Sequence, residues 1–223
     1  MKASAQGKWL CFDLFWSGDN GKVEIKMNTV VTLPQIYLIR HGETAWSLSG
    51  QATGRTDIAL TAQGERDAQA LEPRLHGLNF ARVLTSPLQR ARRTAELAGF
   101  GKNAEIDSDL AEWDYGAYEG RRTADIRADR PGWSLLKNGC PGGETLDAVS
   151  ARAERVINRI RMLQGDSLIF AHRDILRVLA ARWLRLQAIE ARNFYLTTAS
   201  VSILGYHHDL EEPVIRLWND VRH

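Results

Sequence analysis

From Gln35 onward the apolar positions fall into short continuous runs and helical stripes. Ile36, Tyr37, Leu38 and Ile39 form an apolar run of strand length that ends abruptly in Arg40-His41-Gly42-Glu43-Thr44, the pattern of a strand buried on both faces with a charged exit. Thr61 is placed to cap a helix running to about Gly77, with Ala68, Leu71 and Leu75 on one face. Arg82 to Thr85 reads as a second strand, after which Ser86 as N-cap and Pro87 at the first helical position predict a helix through Ala98. Leu146, Val149, Ala153, Val156, Ile157 and Ile160 keep the 3.6-residue period of a long helix opened by Glu144-Thr145. Strand Ser167 to Ala171, a helix from about Asp174 to Leu186, and strands Ser200 to Tyr206 and Val214 to Trp218 complete the pattern. This order predicts an α/β fold: a three-layer α/β/α sandwich, mostly parallel, with an antiparallel edge.

Two stretches depart from that rhythm. Residues 1–34 mix Gly, Lys, Asp and aromatic residues without a sustained period and read as an N-terminal extension, frayed or loosely docked. Residues 113–143 are rich in charges and turns, with Pro131-Gly132 and Pro141-Gly142-Gly143 as breakers; they read as an insertion or lid within a single domain over 35–223.

Composition narrows the function classes. The 223 residues carry 29 Lys+Arg against 27 Asp+Glu, a net charge of +2, so no basic tail or charged half points to nucleic acid. The most apolar early stretch, Trp9 to Trp16, is interrupted by Asp13 and is too short to span a bilayer. Cys11 and Cys140 are the only cysteines and lack zinc or disulfide spacing, which fits a reducing, cytoplasmic compartment. No membrane partner is expected, and a homodimer is the default assembly.

The chemistry gathers where predicted strands end. Arg40 and His41 follow the first, Arg90 lies one turn into the helix after the second, and His172 with Arg173 follows the third. Ligands of open α/β sheets bind beyond the carboxyl ends of strands. Two histidines among arginines there suit a small phosphate dianion, because guanidinium forks match phosphate oxygens bidentately. A neutral imidazole also attacks phosphorus at neutral pH. Neighbouring arginines repel divalent cations and the spacing matches no zinc motif, so neither metal nor cofactor is expected.

The segment Leu38-Ile39-Arg40-His41-Gly42-Glu43-Thr44 resembles the signature of the histidine phosphatase superfamily, the group that also holds cofactor-dependent phosphoglycerate mutases. The resemblance extends over about 35–219, through Gly54 to Thr61, Thr85-Ser86-Pro87-Leu88-Gln89-Arg90, Glu112 ahead of Gly116, and Tyr118-Glu119-Gly120. It implies a phosphoglycerate mutase-like fold. It also implies His41 as the nucleophile that becomes phosphohistidine, with Arg40, Arg90 and His172 clamping the phosphoryl group and Glu112 as general acid and base. The implied activity is hydrolysis of a small phosphorylated metabolite, a sugar phosphate or bisphosphate. A mutase and a catalytically weak phospholigand-binding module are the rivals. Only 60 positions separate Glu112 from His172, a short cover that favours water as the acceptor over a mutase.

Further candidates for substrate contact are Thr44, Ser47, Gly54, Arg55, Tyr118, Glu144 and Arg173. Thr44 and Ser47 suit a turn or cap equally well, and Glu144 suits a cap of the following helix. Trp113, Tyr115, Tyr118 and Trp133 divide between a cleft and the core. The superfamily ordinarily has glycine after its second histidine, and the sugar-phosphate phosphatase branch has Gly-His where this chain has Arg173-Asp174. Arg173 therefore adds a contact for a second anionic group or pairs with Asp174. Where glycine serves a positive φ, Arg173 brings strain of about 1 kcal/mol or more that displaces His172.

Overall fold

The computed structural model describes residues 10–16, 23–29 and 33–222. The chain divides into two units, Met1–Leu33 and Pro34–His223. In the first, β1 (Leu10–Trp16) pairs antiparallel with β2 (Val23–Thr29), Leu10 opposite Thr29 and Trp16 opposite Val23. The aperiodic reading of 1–34 predicted no such hairpin; the rest of that extension lies outside the described residues.

The second unit is built on a six-stranded sheet. Its strands are β3 (Ile36–Arg40), β4 (Arg82–Thr85), β5 (Ala104–Ile106), β6 (Ser167–Ala171), β7 (Val201–Tyr206) and β8 (Pro213–Asp220), in the order β5-β4-β6-β3-β7-β8. β3, β4, β5 and β6 are mutually parallel, and β7 and β8 form the antiparallel edge. The three-residue edge strand β5 gave no apolar run in the sequence.

Every residue of β6 is buried, which requires cover on both faces of the sheet. Ile39, Val83, Leu168 and Phe170 join Leu71, Leu75, Ala95 and Ala98 in one core cluster. Those partners belong to or adjoin α2 (Ala62–Gln69), α3 (Glu72–Leu75) and α4 (Gln89–Leu97). The alternate residues Leu38, Leu84 and Ile169 are also buried, and α8 (Arg173–Trp183) packs on β3 and on α7 (Leu146–Arg161). Burial of each large aliphatic or aromatic side chain in these layers contributes roughly 1.5–3 kcal/mol.

Three local differences from the sequence pattern have physical causes. The helix expected from Thr61 to Gly77 breaks between α2 and α3, where Pro73 sits in the first turn of α3 and cannot continue a hydrogen-bond ladder. Helix α4 starts at Gln89 with Leu88 at its N-cap, so Ser86 is not the cap. Its hydroxyl accepts from Leu88 N–H and meets His172 instead. Between β3 and α2 a short α1 (Ala45–Ser49) appears, capped reciprocally by Thr44 and Ser47. In 113–143 the chain forms a 3-10 turn over Gly116–Tyr118, then α5 (Thr123–Asp129) and α6 (Leu135–Asn138).

The sheet sets the level of the key residues. Arg40 stands opposite Ala171 in the parallel register of β3 and β6, so His41 and His172 leave adjacent strands side by side. His41 N–H donates to Ala171 O at 2.9 Å and Ser86 N–H to Phe170 O at 2.9 Å, which ties the three strand exits together. The turn after His41 is wedged against α2: a methyl on Gly42 would lie 2.4 Å from Gly64 O, and one on Gly64 would lie 2.2 Å from Glu43 O. Helix propensity alone favours Gly64→Ala by about 1 kcal/mol. The clash reverses that sign: Gly64→Ala should lower stability by about 1–3 kcal/mol, read as a Tm decrease of roughly 5 °C in a thermal melt.

Candidate active site

His41, at the exit of β3, is 4% exposed. Its Nδ1 lies 2.7 Å from Gly42 O; a carbonyl only accepts, so Nδ1 carries the hydrogen and Nε2 keeps its lone pair. Nε2 has no hydrogen-bond partner among the described residues. Burial, with Arg40 and Arg90 adding to it, holds the imidazole pKa well below its ordinary value, so the ring is neutral.

His172, at the exit of β6, is fully buried, its ring centroid 5.1 Å from that of His41. Arg90 Nε donates to its Nδ1 at 3.1 Å, which places the remaining hydrogen on Nε2, 2.6 Å from Ser86 Oγ. Burial and then Arg90 depress the His172 pKa as well. Arg90 itself is fully buried; its other donors go to Thr56 O at 2.9 Å, Gly54 O at 2.9 Å and Thr53 O at 3.3 Å. Glu119 secures that turn by accepting from Gly54 N–H and Thr56 N–H.

Arg40 donates through Nη1 to Leu196 O at 2.6 Å, while its Nε is buried without a partner among the described residues. Burial, reinforced by Arg173, pulls its pKa down to about 10. An unpartnered buried guanidinium donor beside a lone-pair nitrogen is the chemistry of an anion site.

Glu112 supplies the opposite charge. It is buried and accepts from Trp113 N–H at 2.9 Å, Ile175 N–H at 3.1 Å and Asp174 N–H at 3.1 Å. It thus caps α8, whose N-cap residue His172 gives no side-chain bond. Burial and the nearby Asp174 raise its pKa despite those bonds. Asp174 is fully buried and stays ionised: burial opposes the charge, but Arg173 and Arg177 outweigh it and hold the pKa below the carboxylate range. Tyr115 OH donates to Asp174 Oδ2 at 2.5 Å.

Arg40, His41 and Glu112 open on a cleft of about 60 Å³ whose walls also include Ser47, Tyr115 and Arg173. Trp46, Gln51 and Trp133 also line it; of the four aromatics divided between cleft and core, Tyr115 and Trp133 face the cleft, while Trp46 and Gln51 carry no sequence signal beyond proximity to the signature segment. A larger hollow of about 1,040 Å³ beside β5 is lined by Glu65, Arg93 and Lys102 and contains no histidine.

Several candidates lie elsewhere. Arg90 and His172 are buried and do not line the cleft. Thr44 caps α1 with Ser47. Gly54 is required for packing, since a methyl there would lie 2.4 Å from Trp113 O. Arg55 pairs with Asp114 at the surface, 3.6 Å apart. Tyr118 is buried edge-on against Trp133, and its hydroxyl accepts from Arg130. Glu144 binds Arg152 through both oxygens at 2.8 and 2.9 Å and accepts from Asp114 N–H. The strain expected at Arg173 is absent: His172 takes φ −128° and ψ 170°, and Arg173 begins α8 with no positive φ. Arg173 instead bonds Asp174 and Tyr115.

Arg152 and Ser86 are functional neighbours that sequence reasoning missed. Arg152 also donates to Asp109 O and Ala111 O, bracing the segment that delivers Glu112. Its place on the apolar stripe of α7 was the available signal. Among the described residues, His207, His208 and Glu212 in the β7–β8 turn have metal-ligand spacing; none lines the cleft. No helix among them is long and apolar enough to cross a membrane.

A family model described as histidine phosphatase superfamily (branch 1) matches residues 36–221. An acid phosphatase of Mycobacterium tuberculosis is 39% identical over 183 residues, covering 80% of this chain and 89% of the relative. A sedoheptulose 1,7-bisphosphatase of Saccharomyces cerevisiae is 30% identical, covering 82% of this chain and 92% of the relative. The solved structure of the open reading frame Rv3214 from Mycobacterium tuberculosis superposes with a TM-score of 0.79 at 35% identity, covering 83% of this chain and 97% of that one.

The brace behind Glu112 has a measurable consequence. Arg152→Ala leaves the partly buried Glu144 without its cation and should cost about 1.5–3 kcal/mol in urea unfolding, with a loss of turnover under folded conditions as the Glu112 segment loosens.

Proposed function

The chain belongs to the histidine phosphatase superfamily, and we propose that it is a metal-independent phosphomonoesterase in which His41 is phosphorylated and Glu112 manages the proton. The observation that carries this reading is the His41 ring: neutral, anchored through Nδ1 to Gly42 O, with Nε2 free in a cleft that also holds an unpartnered Arg40 donor and a raised-pKa carboxyl.

In the first step Nε2 attacks phosphorus, the P–O bond to the alcohol breaks, and the leaving oxygen takes the proton from Glu112. In the second, water attacks phosphorus, Glu112 takes back a proton, and the P–N bond breaks to release inorganic phosphate. Gly42 O stabilises the positive charge that builds on the imidazole. Arg40 donates to the equatorial oxygens, where fixed donors contribute most. Arg90 and His172 belong to the same clamp; bonded to the 53–56 turn and Ser86, they set the potential at His41 and meet a phosphoryl oxygen by exchanging one of those bonds.

A small phosphorylated metabolite of the sugar phosphate or bisphosphate class is the substrate that fits. The acid phosphatase and bisphosphatase names of relatives support it.

Two measurements test the reading. Incubation with p-nitrophenyl phosphate and sugar phosphates should give phosphate release insensitive to EDTA and an acid-labile phosphoenzyme absent from His41→Ala; loss of activity in EDTA, or an unchanged phosphoenzyme in His41→Ala, contradicts it. The pKa directions set the pH profile. His41 lies well below its ordinary value, so the nucleophile stays neutral into acid. Glu112 lies above its ordinary value, so the acid is lost as pH rises through it. Alkyl phosphate turnover should therefore peak on the acid side. Glu112→Gln should reduce it by about 10²–10⁴-fold, with a smaller loss for p-nitrophenyl phosphate, whose leaving group needs no proton.

A further inference from the structure

Arg173 lies on two walls at once. It lines the cleft of His41 and also a second hollow of about 200 Å³, bounded by Arg177, Arg192, Asn193, Tyr195 and Leu196. We propose that this arginine-lined hollow is a subsite for a second anionic group on the substrate, so that the enzyme prefers phosphorylated acids or bisphosphates to neutral monophosphates. The proposal rests on the phosphatase reading and adds the substrate class.

The geometry of the guanidinium groups carries it. Arg173 is 45% exposed, and its Nε and Nη2 are held at 3.1–3.3 Å by Asp174 and Tyr115 OH. Nη1 has no partner among the described residues. Arg177 is fixed by Asp174 through Nη1 at 2.8 Å and by Ala191 O through Nε at 3.0 Å, which leaves Nη2 unpartnered there. Arg192 stands at the rim, half-exposed, with only a 3.4 Å contact to Glu190. Asp174 thus holds two arginines rigid from the buried side and leaves a donor of each for a ligand, the pre-organisation that bidentate anion recognition requires. Three guanidinium groups face two carboxylates, Asp174 and Glu190, one fully buried. The hollow keeps a positive excess.

The subsite is also joined mechanically to the first. Leu196 on its wall gives its carbonyl to Arg40 Nη1, and Asp174 and Ile175 N–H groups bind Glu112. An anion seated on Arg173 therefore rests on the helix turn that aims the proton donor.

Non-hydrolysable probes separate this from the parent reading. Propylphosphonate, 3-phosphonopropionate and propane-1,3-bisphosphonate share a chain length and differ only at the far end; shorter and longer homologues scan reach. Isothermal titration of the full chain should show the doubly anionic probes binding about 10-fold tighter than the methyl-terminated one, with the carboxylate and phosphonate arms showing which anion is preferred. Arg192→Ala touches neither Asp174 nor Glu112 and should cut that advantage at least threefold, and Arg173→Gln should cut it further. An equal affinity for charged and uncharged far ends, or an advantage that survives both substitutions, overturns the subsite while leaving the phosphatase reading intact. Failure of every probe to bind overturns both. Were Arg173 instead to hold the transferred phosphoryl group, Arg173→Gln would weaken all three probes equally, which also overturns the subsite.

Discussion

Two guanidinium groups buried beside two imidazoles, with hydrogen bonds only to carbonyls and a ring nitrogen, are the constraint on which this molecule depends. Removing such cations from water costs several kcal/mol each. Here the cost is offset by carbonyl dipoles from Thr53, Gly54, Thr56 and Leu196. Burial first, and then the positive field of these arginines, keeps His41 and His172 unprotonated. The unpartnered Arg40 donor and the free lone pair of His41 thus share one setting, a desolvated pocket that holds two cations.

Around this centre the scaffold works in relays. Glu119 holds the 53–56 turn, the turn holds Arg90, Arg90 holds His172, and His172 meets Ser86. On the other side Arg152 holds Glu144 and the backbone of 109–111, which presents Glu112 to the first turn of α8. Glu119, Ser86, Glu144 and Arg152, none of them among the groups proposed to react, hold the site residues in place.

Part of this was legible in the sequence: the apolar runs of β3, β4 and β6 are strands as predicted, with Arg40, His41 and His172 at their exits and Arg90 in the helix after β4, whereas Glu112 was proposed from the family resemblance alone. What escaped was decided by tertiary competition. Ser86 has the chemistry of a cap but is claimed by His172. Thr44 and Glu144 have the chemistry of ligands but complete a capping box and a partly buried ion pair. Arg173 looked strained only while a positive φ was assumed. Its backbone is helical, and its meaning lies in the fold that sets Asp174 beneath it. The short β5 and the hairpin of β1 and β2 are paired by register that no local pattern encodes.

The strand order has a consequence for how the protein is made. β3 and β4 are not neighbours; the gap between them is filled by β6, more than eighty residues further along the chain than β4. A ribosome therefore delivers β3 long before either of its neighbours, β6 and β7, and leaves β4 with only the three-residue β5 beside it until the last third of the sequence emerges. During that interval β3 lacks both of its partners and β4 keeps one open edge, the exposure that makes incompletely folded chains prone to association.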